Sequence, residues 1–356
     1  MCNTIDAMRW LIATPFSTSS SDPWLGRFVS GNRHSFESVP GDYSHDRSRP
    51  KTDAVGWVDY LRHAWKTLRA IPRSDSSAGV ITCFPQLPAM LGLLCRIGNR
   101  KLPIVAWAFN LGVLPAGIKR HFARFALSRV NLFVVHSRAE IEACSQWLGL
   151  DRNRFVFVPL QCPRRVTIVP EDIEAPYVLA MGTANRDYAL LFQAVRELGV
   201  RTIVVAGRHA VEHLDKPPNV ELMSGLTTGQ CHELLQGCRV SVIPVANEQT
   251  ASGQVTLLDS LAFGKATVVT NCPGSSDYIE DGVTALAVQP GNCAQLQDAI
   301  ARLWGNRDLR EQLSAAARVD VNERFSDAAV GKILGDLCDE VERKSRGLQL
   351  RGSAET

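Results

Sequence analysis

Continuous apolar runs of strand length, each followed by a segment with helical spacing, recur along most of this 356-residue chain. In the first half the runs are RWLIATPF (9–16), AGVITCF (78–84), LPIVAWAF (102–109), NLFVVHS (131–137) and RFVFVPL (154–160). A strand that is apolar at nearly every position has both faces covered, as in a parallel sheet lying between helix layers. The intervening segments VGWVDYLRHAWKTLRAI, PAMLGLLCRIGN, GIKRHFARFALSRV and RAEIEACSQWLGL supply the helices. The alternation predicts an α/β fold.

Three prolines and two charge clusters interrupt the rhythm at QCPRRVTIVPEDIEAP (161–176), and a linker is expected there. The alternation then resumes through YVLAMG, RTIVVAG, NVELMSG, RVSVIPV, ATVVTN and TALAVQP, with a short helix expected at SSDYIEDG (275–282). Two amphipathic helices are expected at 293–320 and 326–345. The length suits two domains. They are drawn at 1–165 and 166–325, with the helix 326–345 packing back on the first and a frayed tail at 346–356. Residues 30–54, rich in Ser, Pro, Gly, Asp and His, read as a loop with at most one short strand.

The net charge of +3 conceals an asymmetry. Residues 1–165 hold 22 Lys and Arg against 11 Asp and Glu, while the rest of the chain is acidic. An anionic surface or acceptor is therefore expected to meet the first half, and no nucleic-acid partner is expected. The ten cysteines form no CxxC pair or zinc-spaced cluster, which suits reduced thiols in a cytoplasmic protein. No run reaches the ~20 apolar residues of a membrane span, so any membrane contact is peripheral.

ASGQVTLLDSLAFGKATVV (251–269) reads as a small-residue turn, a helix, a glycine stop and a buried strand. A helix N-terminus offers unpaired N–H groups and a partial positive charge, which suit a phosphate. Gly253 lets the chain approach the ligand, and Ser252 and Thr256 add hydroxyl donors. Lys265 reads as a turn residue.

Five segments in order, from YVLAMGTANRDYALLFQAV to LREQLSAAARVDVNERFS, resemble the nucleotide-sugar domain of retaining family 4 glycosyltransferases. The first half resembles that family's acceptor domain more loosely, through LPIVAWAFNLG and VNLFVVHSRAEIEACSQWLGLDRNRFVFVPL. The resemblance implies a GT-B fold, two Rossmann-like doubly wound domains facing across a cleft. It also implies transfer of a sugar from a nucleotide-diphosphate donor to a saccharide or lipid-linked acceptor, in cell-surface polysaccharide or glycoconjugate synthesis.

The resemblance assigns roles residue by residue. Arg186 in GTANRDY takes the place of the family's diphosphate-binding lysine, and Thr183 that of the preceding arginine, with Gly182 at the turn. Asp259 stands where a glutamate accepts hydrogen bonds from the ribose hydroxyls. Arg186 and Asp259 are the residues expected to serve catalysis, and Arg208 is a candidate second cation. The family's first signature glutamate is Ala251 here, so sugar recognition must differ; Gln254 or Glu248 could substitute, with Gln254 favoured.

On the acceptor side the family's histidine position is Phe109, followed by Asn110, which can bind a sugar hydroxyl. Trp24, His34, Asp42 and His45 are further acceptor candidates. The helix in 117–129 sets Ile118, Phe122 and Phe125 among Lys119, Arg120, Arg124 and Arg129, which suits either a core-packed helix with a solvated basic face or an anionic membrane surface. No cofactor and no metal are expected, because no Asp-x-Asp pair is present and cationic groups can hold the leaving diphosphate. The competing reading is a catalytically lapsed GT-B protein that binds nucleotide sugar without turnover.

Overall fold

The computed structural model describes residues 8–15, 19–31, 33–43, 52–112, 114, 116–246 and 251–347. The chain forms two units, one of residues up to Val158 with those from Ala328 onward, the other Pro159–Asp327. The proline-rich stretch 161–176 lies within the second.

In the first unit the strands are β1 (Met8–Thr14), β2 (His34–Pro40), β3 (Ala78–Cys83), β4 (Ile104–Trp107), β5 (Leu132–Val135) and β6 (Phe155–Phe157). They form one parallel sheet in the order β2-β1-β3-β4-β5-β6, with Met8 opposite His34 and Arg9 opposite Ala78. Side chains alternate across it, as strand geometry requires. Leu11, Val80, Ile104 and Phe133 share one core with the helices α1 (Ala54–Arg69), α2 (Gln86–Ile97), α3 (Ile118–Leu127) and α4 (Ala139–Leu148). Trp10, Ile12, Ile81, Val105 and Val134 face the other way.

A helix from the far end of the sequence covers that other face. Its Val330, Leu334, Leu337, Cys338 and Val341 are buried against Trp10 and its neighbours. Their spacing of three to four residues makes one apolar stripe on the helix Asp327–Ser345.

The second unit contains β7 (Val178–Met181), α5 (Tyr188–Leu198), β8 (Thr202–Val205), β9 (Val220–Met223), α6 (Thr228–Gly237) and β10 (Val240–Ile243). It continues with α7 (Gln254–Ala262), β11 (Thr267–Thr270), β12 (Leu286–Val288), α8 (Cys293–Gly305) and α9 (Arg307–Asp320); the helix Asp327–Ser345 is α10. The parallel sheet runs β12-β11-β10-β7-β8-β9. From β7 the chain winds outward to β9 and then returns to place β10 on the other side of β7. The order therefore reverses between β7 and β10, and at such a point the loops leaving the carboxyl ends part and open a crevice.

Local expectations fail at two places. The segment 293–320 is two helices, because Asn306 ends α8 and its side chain accepts from the Leu309 N–H to start α9. Residues 275–282 form turns rather than a short helix, since the Ser275 hydroxyl bonds the Thr270 and Cys272 carbonyls and pins the backbone in a tight turn. The region 30–54, read as a loop with at most one short strand, contains the single strand β2, seven residues long and paired along its whole length with β1.

Candidate functional site

The loops after β7 and β10 hold most of the residues expected at a donor site. Gly182 follows β7 with φ +116°, a conformation that side chains disfavour. A Cβ there would also lie 2.5 Å from Arg186 Nη2. The missing side chain is the space the guanidinium fills. Thr183 Oγ1 accepts from the Gly207 N–H at 3.0 Å, tying this loop to the end of β8. Asp187 caps α5, so the loop is fixed at both ends.

Arg186 donates to the Met181 carbonyl at 3.1 Å, the Ala184 carbonyl at 2.9 Å and Thr256 Oγ1 at 3.4 Å. It has no carboxylate partner among the described residues. Burial lowers its pKa, opposed by Tyr188 and Cys272. Arginine does not give up its proton in proteins, so this is a partly desolvated cation with no counter-ion among the described residues. Asn185 Nδ2 donates to Ser252 Oγ at 2.8 Å and joins the same loop to the turn before α7.

That turn differs from the other α-helix starts of the second unit. α5, α6, α8 and α9 begin on Asp187, Thr227, Asn292 and Asn306, each of whose side chains caps the helix. α7 begins on Gly253, at φ +86°, which has no side chain to cap it. A Cβ on Gly253 would lie 2.9 Å from Ile243 and 3.8 Å from Arg186 Nη1. A helix end and a guanidinium thus sit side by side at the strand-order reversal, both suited to an anion.

Two expected donor residues have other surroundings. The side chain of Gln254 is buried and its amide lies 3.3 Å from the Tyr278 hydroxyl, so it faces the interior rather than a sugar. The Asp259 carboxylate is already partly engaged. Arg165 donates to its Oδ1 through Nε at 3.0 Å and Nη2 at 2.8 Å, and His232 Nε2 lies 3.4 Å from Oδ2. Both partners stand by the Phe263 ring. Arg208 is exposed just beyond β8, in the short helix Arg208–Ala210. Lys265 is buried before β11 and donates to the Gln236 carbonyl, at the opposite sheet edge. Ala251 is buried, and Glu248 lies outside the described residues.

Arg165 and His232 escape the sequence reading. Arg165 belongs to a charge pair in an apparent linker, 94 residues from its partner, and no spacing rule joins the two.

In the first unit Trp24 stands in the short helix Trp24–Phe28 after β1, at φ +47°, an uncommon conformation for a bulky residue. Its ring meets Trp107 edge-on, with centroids 5.7 Å apart. Asn110 follows β4, and its Oδ1 accepts from the Gly112 N–H. Phe109 is fully buried against Phe133. His34 is not placed for an acceptor: it opens β2 at the amino end of the sheet, and its Nε2 lies 2.9 Å from Asp339 of α10. Asp42 is exposed, 3.8 Å from Lys66, and His45 lies outside the described residues.

Residues 175–306 match the family model described as glycosyl transferases group 1. The N,N'-diacetylbacillosaminyl-diphospho-undecaprenol alpha-1,3-N-acetylgalactosaminyltransferase of Campylobacter jejuni is 29% identical over 127 residues, 33% of this chain and 31% of that enzyme. The matched stretch is thus about a third of that relative's length. Sucrose-phosphate synthase from Thermosynechococcus elongatus shares the fold with a TM-score of 0.69 at 15% identity, covering 94% of this chain and 99% of that one. Anabaena HepE, solved in complex with UDP-glucose, gives 0.65 at 12% identity over 94% of this chain and 100% of its own.

Proposed function

Because its second unit carries a glycosyl transferases group 1 domain and its chain has a GT-B-type fold, we propose that the protein is a retaining glycosyltransferase. It moves a sugar from a nucleotide-diphosphate donor to a saccharide or lipid-linked acceptor in cell-surface polysaccharide or glycoconjugate synthesis. The observation that carries this reading is Arg186, a half-buried guanidinium without a carboxylate partner among the described residues, beside the uncapped start of α7.

In this reading the donor diphosphate lies against Arg186 and the first turn of α7, with Ser252 and Thr256 beside it. As the glycosidic bond breaks, negative charge grows on the leaving phosphate oxygen, and a fixed cation in a desolvated site stabilises that charge more than it does the bound donor. The guanidinium carries the charge that a metal would otherwise carry, so turnover needs no divalent ion. The departing oxygen takes the proton from the acceptor hydroxyl on the same face as the new bond forms, which preserves the anomeric configuration. No protein base is required, in keeping with Phe109 where the family has histidine.

Asp259 retains a part. A carboxylate has about four acceptor positions, and Arg165 and His232 engage three. Ribose hydroxyls bind at the remainder or displace His232. Trp24 and Asn110, at the carboxyl edge of the first sheet, are the proposed acceptor contacts.

Ala251 and the engaged Asp259 favour a second reading, a protein that binds nucleotide sugar without turnover. Nucleotide release from UDP-, GDP- and ADP-sugars with lipid and saccharide acceptors separates the two. The transferase reading expects acceptor-dependent release from one donor, unchanged by EDTA; tight donor binding without release would establish the other.

A further inference from the structure

Cations also gather at the amino end of the second sheet, away from the donor loops. A cavity of about 850 Å³ opens there between the segment before β7, the residues leading into β10 and β11, and α9. Arg239 and Lys265 enter it from just before β10 and β11, and Arg307, Arg310 and Arg318 from α9. Positions 307, 310, 314 and 318 recur every three or four residues, so they share one face of that helix. Among the described residues, the carboxylates that line the cavity are those of Glu171 and Glu311.

Part of this charge serves the fold. Lys265 donates to the Gln236 carbonyl at the end of α6, and Arg318 to that of Phe263 at the end of α7. Arg310 donates to the Leu303 and Trp304 carbonyls at the end of α8. A helix end carries about half a negative charge, so three ends and two carboxylates set about three and a half negative charges against five positive. Asp172, beside Glu171, accepts from the Ala175 N–H instead. Donors are also left over. Lys265 is buried yet uses one of its three N–H groups. Arg239 bonds Glu171 through Nε at 2.7 Å, and its two Nη groups make no hydrogen bond among the described residues. Arg310 is 12% exposed, with Nη2 4.0 Å from Glu171. Burial lowers its pKa; Glu171 opposes the shift, and Arg239 and Arg307 add to it. Gly264, at φ +66°, lacks the Cβ that would collide with the Arg318 guanidinium, as Gly182 does for Arg186.

We propose that this cavity binds a small phosphorylated molecule, at a site separate from the donor pocket. The guanidinium forks offer paired N–H groups to phosphate oxygens, and the Lys265 ammonium adds a compact charge. The volume is that of an ordinary small-molecule pocket, with room for a diphosphate or for a phosphate on an organic body. No proposed donor residue lines it. The four residues of β10, about 3.3 Å apart along the strand, stand between Arg239 and the loop that leads to α7. A bound anion relieves the repulsion among Arg239, Arg307 and Arg310. These cations come from separate segments of the acidic half of the chain, so counting charge by halves does not reveal them.

Calorimetric titration of the full chain with inorganic pyrophosphate and with glucose 6-phosphate, at fixed ionic strength, tests this. Wild type and Arg186→Ala are both titrated, so the outcome is independent of the donor reading. At least one probe should bind, and Arg186→Ala should retain that binding. Tighter binding of pyrophosphate identifies a diphosphate ligand, and tighter binding of glucose 6-phosphate a monophosphate on an organic body. Arg239→Gln with Arg310→Gln should weaken the bound probe about tenfold or more. Arg307→Glu, at a side chain 80% exposed, should also weaken it and serves if the first pair misfolds. Failure of both probes to bind folded wild-type protein would overturn the proposal, as would equal affinity in the folded cavity variants. Binding that Arg186→Ala abolishes and Arg307→Glu spares would place the anion in the donor pocket and also overturn it.

Discussion

Arg186 Nη2 donates to Thr256 Oγ1 at 3.4 Å, so a side chain from the loop after β7 reaches the first turn of α7 across 70 positions of sequence. Gly182 makes this reach possible, because a Cβ there would occupy the guanidinium's place. Gly182→Ala should cost about 1–3 kcal/mol of stability through strain at positive φ and should weaken the nucleotide diphosphate the wild type takes by displacing Arg186. Chemical denaturation and calorimetry on the same variant measure both. Unchanged nucleotide affinity would mean that the position of the guanidinium is immaterial.

Asp259 and Arg165 form a pair whose side chains are 15% and 26% exposed. Exposed pairs contribute about 0–1 kcal/mol and breaking a buried one costs about 3–5, so Asp259→Ala should destabilise the protein by about 2 kcal/mol. Arg165→Met, which leaves the carboxylate in place, should spare affinity for the matching nucleoside while Asp259→Ala lowers it. Equal nucleoside affinity in both variants would leave Asp259 a purely structural residue.

The helix α10 completes the first unit from the far end of the sequence. Leu334→Ala deletes a fully buried side chain and should cost about 2–5 kcal/mol. Nucleotide affinity should not change, since the proposed donor residues belong to the other unit. A loss of nucleotide binding in the folded variant would contradict this separation.

His136 lies edge-on to Trp107 at 6.0 Å, and its Nδ1 is 2.6 Å from the Val158 carbonyl. Burial lowers its pKa to about 4 from the usual 6.5. The fold thus favours the neutral ring. This stability is fully present above pH 6.5 and is lost as pH falls through about 4, amounting to about 3 kcal/mol. His63, also lowered chiefly by burial, acts in the same sense. Denaturation of His136→Gln between pH 7 and 4 should show a flatter profile than the wild type; an identical slope would place the titration elsewhere.

The strands were legible because burial on both faces leaves an uninterrupted apolar run, as in VLAM and VSVI. The turn before α7 was legible because only glycine suits φ +86° against Ile243. Arg186 could be placed by counting within one short segment. Asp259 shows the limit of such counting: its residue type and register were readable, but its partners come from the linker and from α6, and nothing local reports a contact across 94 residues. His34 misled for a similar reason. Polar neighbours suggested a loop, while pairing with β1 makes a strand and carries the ring to Asp339.

The central claim is that Arg186 and the start of α7 hold a nucleotide diphosphate. Calorimetric titration of wild type and Arg186→Ala with UDP, GDP, ADP and the matching nucleosides tests it most directly. One diphosphate should bind the wild type, and the substitution should weaken it about 10- to 150-fold, the equivalent of one charged hydrogen-bonding group at about 1.5–3 kcal/mol, with the nucleoside little affected. Failure of every diphosphate to bind folded wild-type protein, or equal losses for diphosphate and nucleoside, would contradict it.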